Sequence, residues 1–158
     1  MLFRHTNRRG FCLALAALAG GQALAFSAHA ADGPETRIAL NGYDPVAYFT
    51  DGKATRGDPQ FQYAWDGAVY HFASARHLAL FKVDPDRYLP QYGSLCTASL
   101  AGDRKFPGDP KSWLVHDGRL YLFGSASAQA AMTRNPAEMK ARADAIWAKM
   151  SGPSAPRR

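Results

Sequence analysis

An internal repeat constrains the fold of this chain more than any other feature of its sequence. Residues 66–85 align with residues 117–136 without a gap, and eight of the twenty aligned pairs are identical. In each copy an Asp-Gly pair stands between alternating apolar residues, which is typical of a two-residue β-hairpin turn. A serine follows where a helix N-cap belongs, at Ser74 and Ser125, and a proline ends the copy. The repeat predicts two β-hairpin–helix units, over residues 61–83 and 112–133.

Cross-strand pairing sorts the side chains of the first hairpin onto two faces. With Asp66-Gly67 as the loop, we expect Tyr63 opposite Tyr70 and Phe61 opposite Phe72 on one aromatic face. His71 then lies on the other, more polar face. The corresponding face of the second hairpin is apolar, which predicts that this hairpin is the more buried of the two.

The sequence ends in a third recognisable element, a long amphipathic helix. Asn135 is expected to cap it, Pro136 to occupy its first position and Glu138 to complete a capping box. Apolar residues recur at helical spacing and predict an inward stripe of Met139, Ala143, Ile146, Trp147 and Met150. Together these patterns predict a small single α+β domain, residues 38–150, with two repeated hairpin–helix units and a C-terminal helix.

The first 30 residues are typical of a cleavable signal peptide. A basic segment with Arg8-Arg9 precedes an apolar stretch, and Ala28-His29-Ala30 offers the small residues that a signal peptidase accepts. The Arg-Arg-Gly-Phe order resembles the twin-arginine export motif, with an ordinary secretory signal as the alternative. We expect cleavage after Ala30, a periplasmic location, a linker at residues 31–37 and a disordered tail at residues 151–158.

The composition of the remaining chain excludes several classes. Removing residues 1–30 lowers the formal charge from +6 to +3 and leaves no basic run, which argues against a nucleic-acid partner. No further apolar run is long enough to span a membrane. Cys96 is then the only cysteine, so no intrachain disulfide can form. No paired-carboxylate or nucleophile motif stands out, because the aspartates that adjoin Pro or Gly are explained by turns and caps. We therefore assign no catalytic residue.

Several motifs resemble those of exported YHS-domain proteins. The opening segment Gly42–Phe49 is nearly the family's opening signature, and Tyr70–Ser74 with Asp84–Tyr88 resembles the YHS core. The segment around Cys96 and the C-terminal third are also similar, so the resemblance extends over about residues 38–148.

The resemblance implies metal binding, because YHS domains occur in copper-transporting ATPases and other metal-handling proteins. Their metal-type signature has two cysteines where this chain has Ala73 and His77. Imidazole can replace thiolate for copper or zinc, so we expect His77 and Cys96 to bind any metal, with His71 as a weaker candidate. Copper or another soft transition metal would be held weakly or transiently, since two protein ligands leave the shell incomplete. A metal-handling or membrane-associated protein is the expected partner.

Each candidate residue also has a simpler interpretation. Cys96 can be a small buried hydrophobe or a reactive thiol instead of a ligand. His77 can be a half-exposed surface histidine, and His71 an exposed strand residue. Two other functions therefore stay open: a structural or protein-interaction domain without metal, and a thiol-dependent enzyme that uses Cys96.

Overall fold

The computed structural model describes residues 37–152. The predicted signal peptide, its cleavage site, nearly all of the linker and the last six residues of the predicted tail lie outside this range. The helices and strands in chain order are β1 (Arg37–Ile38), α1 (Ala47–Thr50), β2 (Asp58–Trp65), β3 (Ala68–Phe72), α2 (Ala75–Val83), α3 (Pro85–Tyr88), α4 (Thr97–Ala101), β4 (Asp109–His116), β5 (Arg119–Phe123), α5 (Ala126–Arg134) and α6 (Pro136–Ser151), with 3-10 turns at Ala39–Gly42 and Gln91–Ser94.

The α+β architecture and the two hairpin–helix units are confirmed. Strands β2 and β3 pair antiparallel, as do β4 and β5, and β1 adds to β3 in parallel. Helices α2 and α5 follow their hairpins and have nine residues each. We call residues 37–88 the first repeat and residues 89–151 the second repeat.

The predicted register of the first hairpin is correct near the turn and wrong further away. Tyr63 lies opposite Tyr70 as expected, but Phe72 pairs with Asp58 instead of Phe61. The cause is an irregularity in the strand between Asp58 and Gln62. Asp58 folds its carboxylate onto the backbone N–H of Gln60, at 2.8 Å, which makes a local turn that strand alternation cannot reveal.

The predicted helix caps are confirmed. The hydroxyls of Ser74 and Ser125 accept the backbone N–H groups of His77 and Ala128, each at 3.2 Å. The side chain of Asn135 accepts the N–H of Glu138 at the start of α6. Of the predicted inward stripe of α6, only Met150 does not pack inward, since it lies in the last turn and is exposed.

Three apolar clusters form the core. One lies under the first hairpin around Phe72 and Phe81, and a second lies under the second hairpin around Tyr121 and Phe123. The third joins the two repeats, because side chains that follow β1 pack against β5; its buried members are Leu40, Tyr43, Tyr48, Leu120 and Leu122. Four consecutive residues of β5 are fully buried, which confirms that the second hairpin is apolar on both faces. Within residues 37–152, no helix is long and apolar enough to cross a membrane.

Candidate functional site

His77 is a buried residue in the first turn of α2. Its exposed fraction is 7%, so it is not the half-exposed surface histidine that the sequence also allowed. Ser74 fixes the start of the helix by accepting the His77 N–H, which sets the direction in which the imidazole leaves the helix. The ring therefore points into the protein, toward the loop that precedes α1.

Asp44 meets this ring from that loop. Its carboxylate is fully buried, and one oxygen accepts the backbone N–H groups of Val46 and Ala47 at 2.8 and 3.4 Å. The other oxygen accepts the N–H of Ala73 at 2.7 Å and lies 2.6 Å from Nδ1 of His77. A carboxylate offers about four acceptor positions, so this one is saturated by donors. Because an ionised carboxylate can only accept, a neutral His77 ring in this contact carries its proton on Nδ1 and leaves Nε2 unprotonated.

The Nε2 side of the ring faces α1 and its C-terminal residue. Nε2 lies 3.2 Å from the hydroxyl of Thr50 and 3.7 Å from a carboxylate oxygen of Asp51. The Thr50 hydroxyl is also 3.2 Å from the carbonyl of Val46, to which it can donate. The Asp51 side chain is 42% exposed, so this side of the pair opens toward solvent.

Cys96 lies in the second repeat in a different environment. It is 1% exposed and belongs to the apolar cluster around Tyr121 and Phe123. Its sulfur accepts the N–H of Ser99 at 3.5 Å and so caps helix α4. This placement agrees with the interpretation of Cys96 as a buried hydrophobe that serves the fold.

His71 is half-buried on β3, opposite Gln62. A Cβ built on Gly42 would lie 3.6 Å from Nδ1 of His71 and 3.7 Å from a guanidinium nitrogen of Arg56, so the imidazole and a cation both flank Gly42. Among residues 37–152, no hydrogen bond or ion pair joins any two of His71, His77 and Cys96.

In that same range no group of three His, Cys, Asp or Glu side chains is arranged to hold a metal ion. The three-residue ligand set therefore stays a prediction.

The YHS domain family model matches residues 46–92 of this chain. Residues 46–92 are a YHS domain. No curated protein and no solved structure matches the chain. The match contains His71 and His77, whereas Asp44 lies two residues before it and Cys96 four residues after it. The YHS domain thus includes α1 and the first hairpin–helix unit, and it ends at the 3-10 turn that opens the second repeat.

Sequence reasoning missed the partners of His77. Asp44 was explained as a turn residue beside Pro45, and it does bind the backbone N–H groups that follow it. Its second oxygen binds a ring 33 residues away, a contact that local sequence does not encode. One signal was available: Asp44 lies in the opening segment Gly42–Phe49, which resembles the family's opening signature and overlaps the start of the matched residues.

Proposed function

We propose that this chain is an exported, metal-associated YHS protein of the periplasm, in which His77 anchors a divalent transition metal, with copper as the favoured ion. The observation that carries the proposal is the buried hydrogen bond between Asp44 and Nδ1 of His77. Ligating histidines characteristically donate their second ring N–H to a carboxylate or a carbonyl, which fixes the tautomer and raises the basicity of the ligating nitrogen.

The atoms around Nε2 fit a partial metal site. Nε2 and the nearer Asp51 oxygen are 3.7 Å apart, so both can reach one ion with bonds of about 2.0–2.2 Å. The Thr50 hydroxyl has one proton and lies 3.2 Å from both Nε2 and the Val46 carbonyl, so it can donate to the carbonyl when a metal takes Nε2. The nitrogen and oxygen donors suit a divalent ion better than copper(I), and among divalent first-row ions copper binds such donors most strongly.

Two protein donors leave most of the coordination shell to water or to a partner. Binding to the chain alone is accordingly weak and the ion exchangeable, which suits a protein that receives or passes on a metal. A metal-handling or membrane-associated protein would supply the missing ligands. Export and the periplasmic location rest on the signal-peptide pattern of residues 1–30, and processing after Ala30 is tested by N-terminal sequencing of the exported protein.

Calorimetric titration of the purified mature chain with copper(II) tests this function. We expect one weak site per chain, lost in His77→Ala and weakened in Asp51→Asn. His116→Ala is the matched control, since His116 is a partly exposed histidine beside Asp117 in the second repeat, at 3.3 Å. His71→Ala and Cys96→Ala test the two other predicted ligands in the same way. If the wild-type chain takes up no copper or zinc, the Asp44–His77 pair serves the fold and the protein-interaction function replaces the metal function.

A further inference from the structure

The internal repeat of this fold begins well before the hairpins. The backbone N–H of Asp44 donates to the carbonyl of Thr55 at 2.9 Å, and that of Cys96 donates to the carbonyl of Phe106 at 2.8 Å. The same return contact thus closes the loop before each hairpin. Asp44 and Cys96 occupy the same place in the two loops, although the second loop is one residue shorter.

Two glycines support this correspondence. A Cβ added to Gly57 would lie 2.4 Å from the backbone carbonyl carbon of His71, and one added to Gly108 would lie 2.5 Å from the Cβ of Leu122. Each glycine lets the loop cross the last strand of its own hairpin at close range. His71 and Leu122 are themselves 51 positions apart, the offset of the hairpins.

The 3-10 turns correspond as well. Leu40 and Asn41 have φ near +50° in the first turn, and Tyr92 and Gly93 have φ near +60° in the second. Left-handed backbone at two consecutive residues is rare outside glycine. Its occurrence at matching positions therefore indicates that the two repeats share one backbone framework, which we call the frame. The frame therefore runs from the 3-10 turn to the end of the hairpin's helix in both repeats.

Within this frame, the second repeat has positions that correspond to Asp44 and to its hydrogen-bond partners. Asp44 binds backbone N–H groups at the start of α1, and Cys96 binds the N–H of Ser99 in α4. Ala73, whose N–H reaches Asp44, corresponds to Gly124, where an added Cβ would lie 3.7 Å from the Cys96 sulfur.

The helix after each hairpin supplies the other half of the pair. Each serine cap binds the N–H of the third residue after it, which is His77 in α2 and Ala128 in α5. Ala128 is partly buried against the cluster that contains Cys96. The second repeat also has an acidic residue, Asp103, two residues after the end of α4, as Asp51 directly follows α1.

We infer that the second repeat holds a latent copy of the His77 site, in which Cys96 and Ala128 stand at the positions of Asp44 and His77. On this inference the second repeat has no counterpart of the His77 imidazole, because Ala128 stands at that position. Cys96 caps a helix, as Asp44 does, and is not a metal ligand. The ligand of the latent site is the same divalent metal, so this part of the inference rests on the proposed function.

Restoring the pair tests the inference. In Cys96→Asp/Ala128→His we expect the introduced imidazole to adopt one tautomer, with its proton on Nδ1, in ¹⁵N-detected NMR of the metal-free protein. Ser127→His is the matched control, because Ser127 is exposed one position earlier on α5, and its imidazole should exchange freely between tautomers. Copper(II) titration should then give two sites in the restored variant, one in the same variant with His77→Ala, and none in His77→Ala alone.

The two readouts separate this inference from the proposed function. A fixed tautomer without metal uptake in any variant supports the duplicated frame and contradicts the metal function. A freely exchanging imidazole in the restored variant contradicts the latent site, whatever the wild-type chain binds.

The reverse exchange covers the case in which the restored variant does not fold. Asp44→Cys/His77→Ala places the pair of the second repeat into the first. We expect its denaturation midpoint to exceed that of either single variant, and a midpoint below both would overturn the correspondence.

Discussion

At the scale of single residues, Asp44 is the side chain on which the site depends. We expect Asp44→Asn to lower copper affinity about 10- to 100-fold, because a neutral amide accepts the Nδ1 proton more weakly and no longer fixes the tautomer and orientation of the ring. Calorimetric titration measures the affinity, and NMR of the imidazole nitrogens reports the tautomer, which a merely structural role would not change. Asp58→Asn is the control, since the Asp58 carboxylate also binds a backbone N–H in a turn and makes no hydrogen bond to an imidazole of the described residues. Equal copper affinity in the wild type and in Asp44→Asn would contradict a role for Asp44 in metal binding.

Buried tyrosines give a second prediction at this scale. Burial raises the pKa of Tyr48, Tyr92 and Tyr121 above the ordinary value of 10.0, and a hydrogen bond to Asp144 adds to the effect at Tyr92. The unfolded chain ionises its tyrosines as the pH rises past about 10 while the folded chain keeps these three protonated. The stability that they contribute is therefore complete below pH ~10 and is lost above it, by about 1.4 kcal/mol per pH unit for each of Tyr48 and Tyr92 while the folded chain keeps it protonated.

Phenolate absorbance during an alkaline titration of the native protein checks this. Of the seven tyrosines, we expect Tyr48 and Tyr92 to ionise only as the fold is lost, and Tyr121 to ionise at a higher pH than an exposed tyrosine. Ionisation of all seven near pH ~10 with the fold intact would contradict the burial argument.

The same scale shows what the sequence could and could not predict. The serine caps and the Asp-Gly turns follow from a few adjacent residues, and these predictions are confirmed. The pairing of Asp44 with His77 joins two loops 33 residues apart, so only the tertiary fold creates it. The burial of His77 accompanies that tertiary contact, so the sequence alone could not decide whether His77 is buried or exposed.

At the scale of elements, the loop before each hairpin crosses the last strand of that hairpin at close range. We expect Gly57→Ala and Gly108→Ala each to lower the free energy of unfolding by about 1–3 kcal/mol, because the added methyl group collides with the crossing strand. Gly102→Ala is the control, since its nearest atom would be 3.4 Å away. Chemical denaturation measures all three variants. A neutral result at either Gly57 or Gly108 would contradict the close crossing.

Strand register is the feature of an element that the sequence predicted least well. Alternation placed Phe61 opposite Phe72, yet the irregularity after Asp58 shifts the pairing. The second hairpin has the same interruption between Asp109 and Trp113, where the Asp109 carboxylate accepts the N–H of Lys111. A single Asp near the start of a strand is a weak sign of such a turn. Its recurrence at the same position in both repeats could have revealed the register shift.

At the scale of the whole molecule, the third apolar cluster makes the two repeats one folding unit. Leu122 is fully buried there against side chains of the first repeat, and the Tyr48 hydroxyl donates to the carbonyl of Pro110 at 2.9 Å. We expect Leu122→Ala to cost about 2–5 kcal/mol and to destabilise both hairpins together. Hydrogen exchange read by mass spectrometry should show faster exchange in β2–β3 as well as in β4–β5. Faster exchange confined to the second repeat would mean that the repeats fold independently.

The central claim, that the His77 imidazole held by Asp44 binds the metal, is tested most directly by pulsed EPR of the copper(II)-loaded mature chain. The modulation of the electron spin echo reports the remote nitrogen of a coordinated imidazole. We predict the signature of one imidazole in the wild-type chain, unchanged in His71→Ala and His116→Ala and absent in His77→Ala. An imidazole signature that persists in His77→Ala would contradict the account.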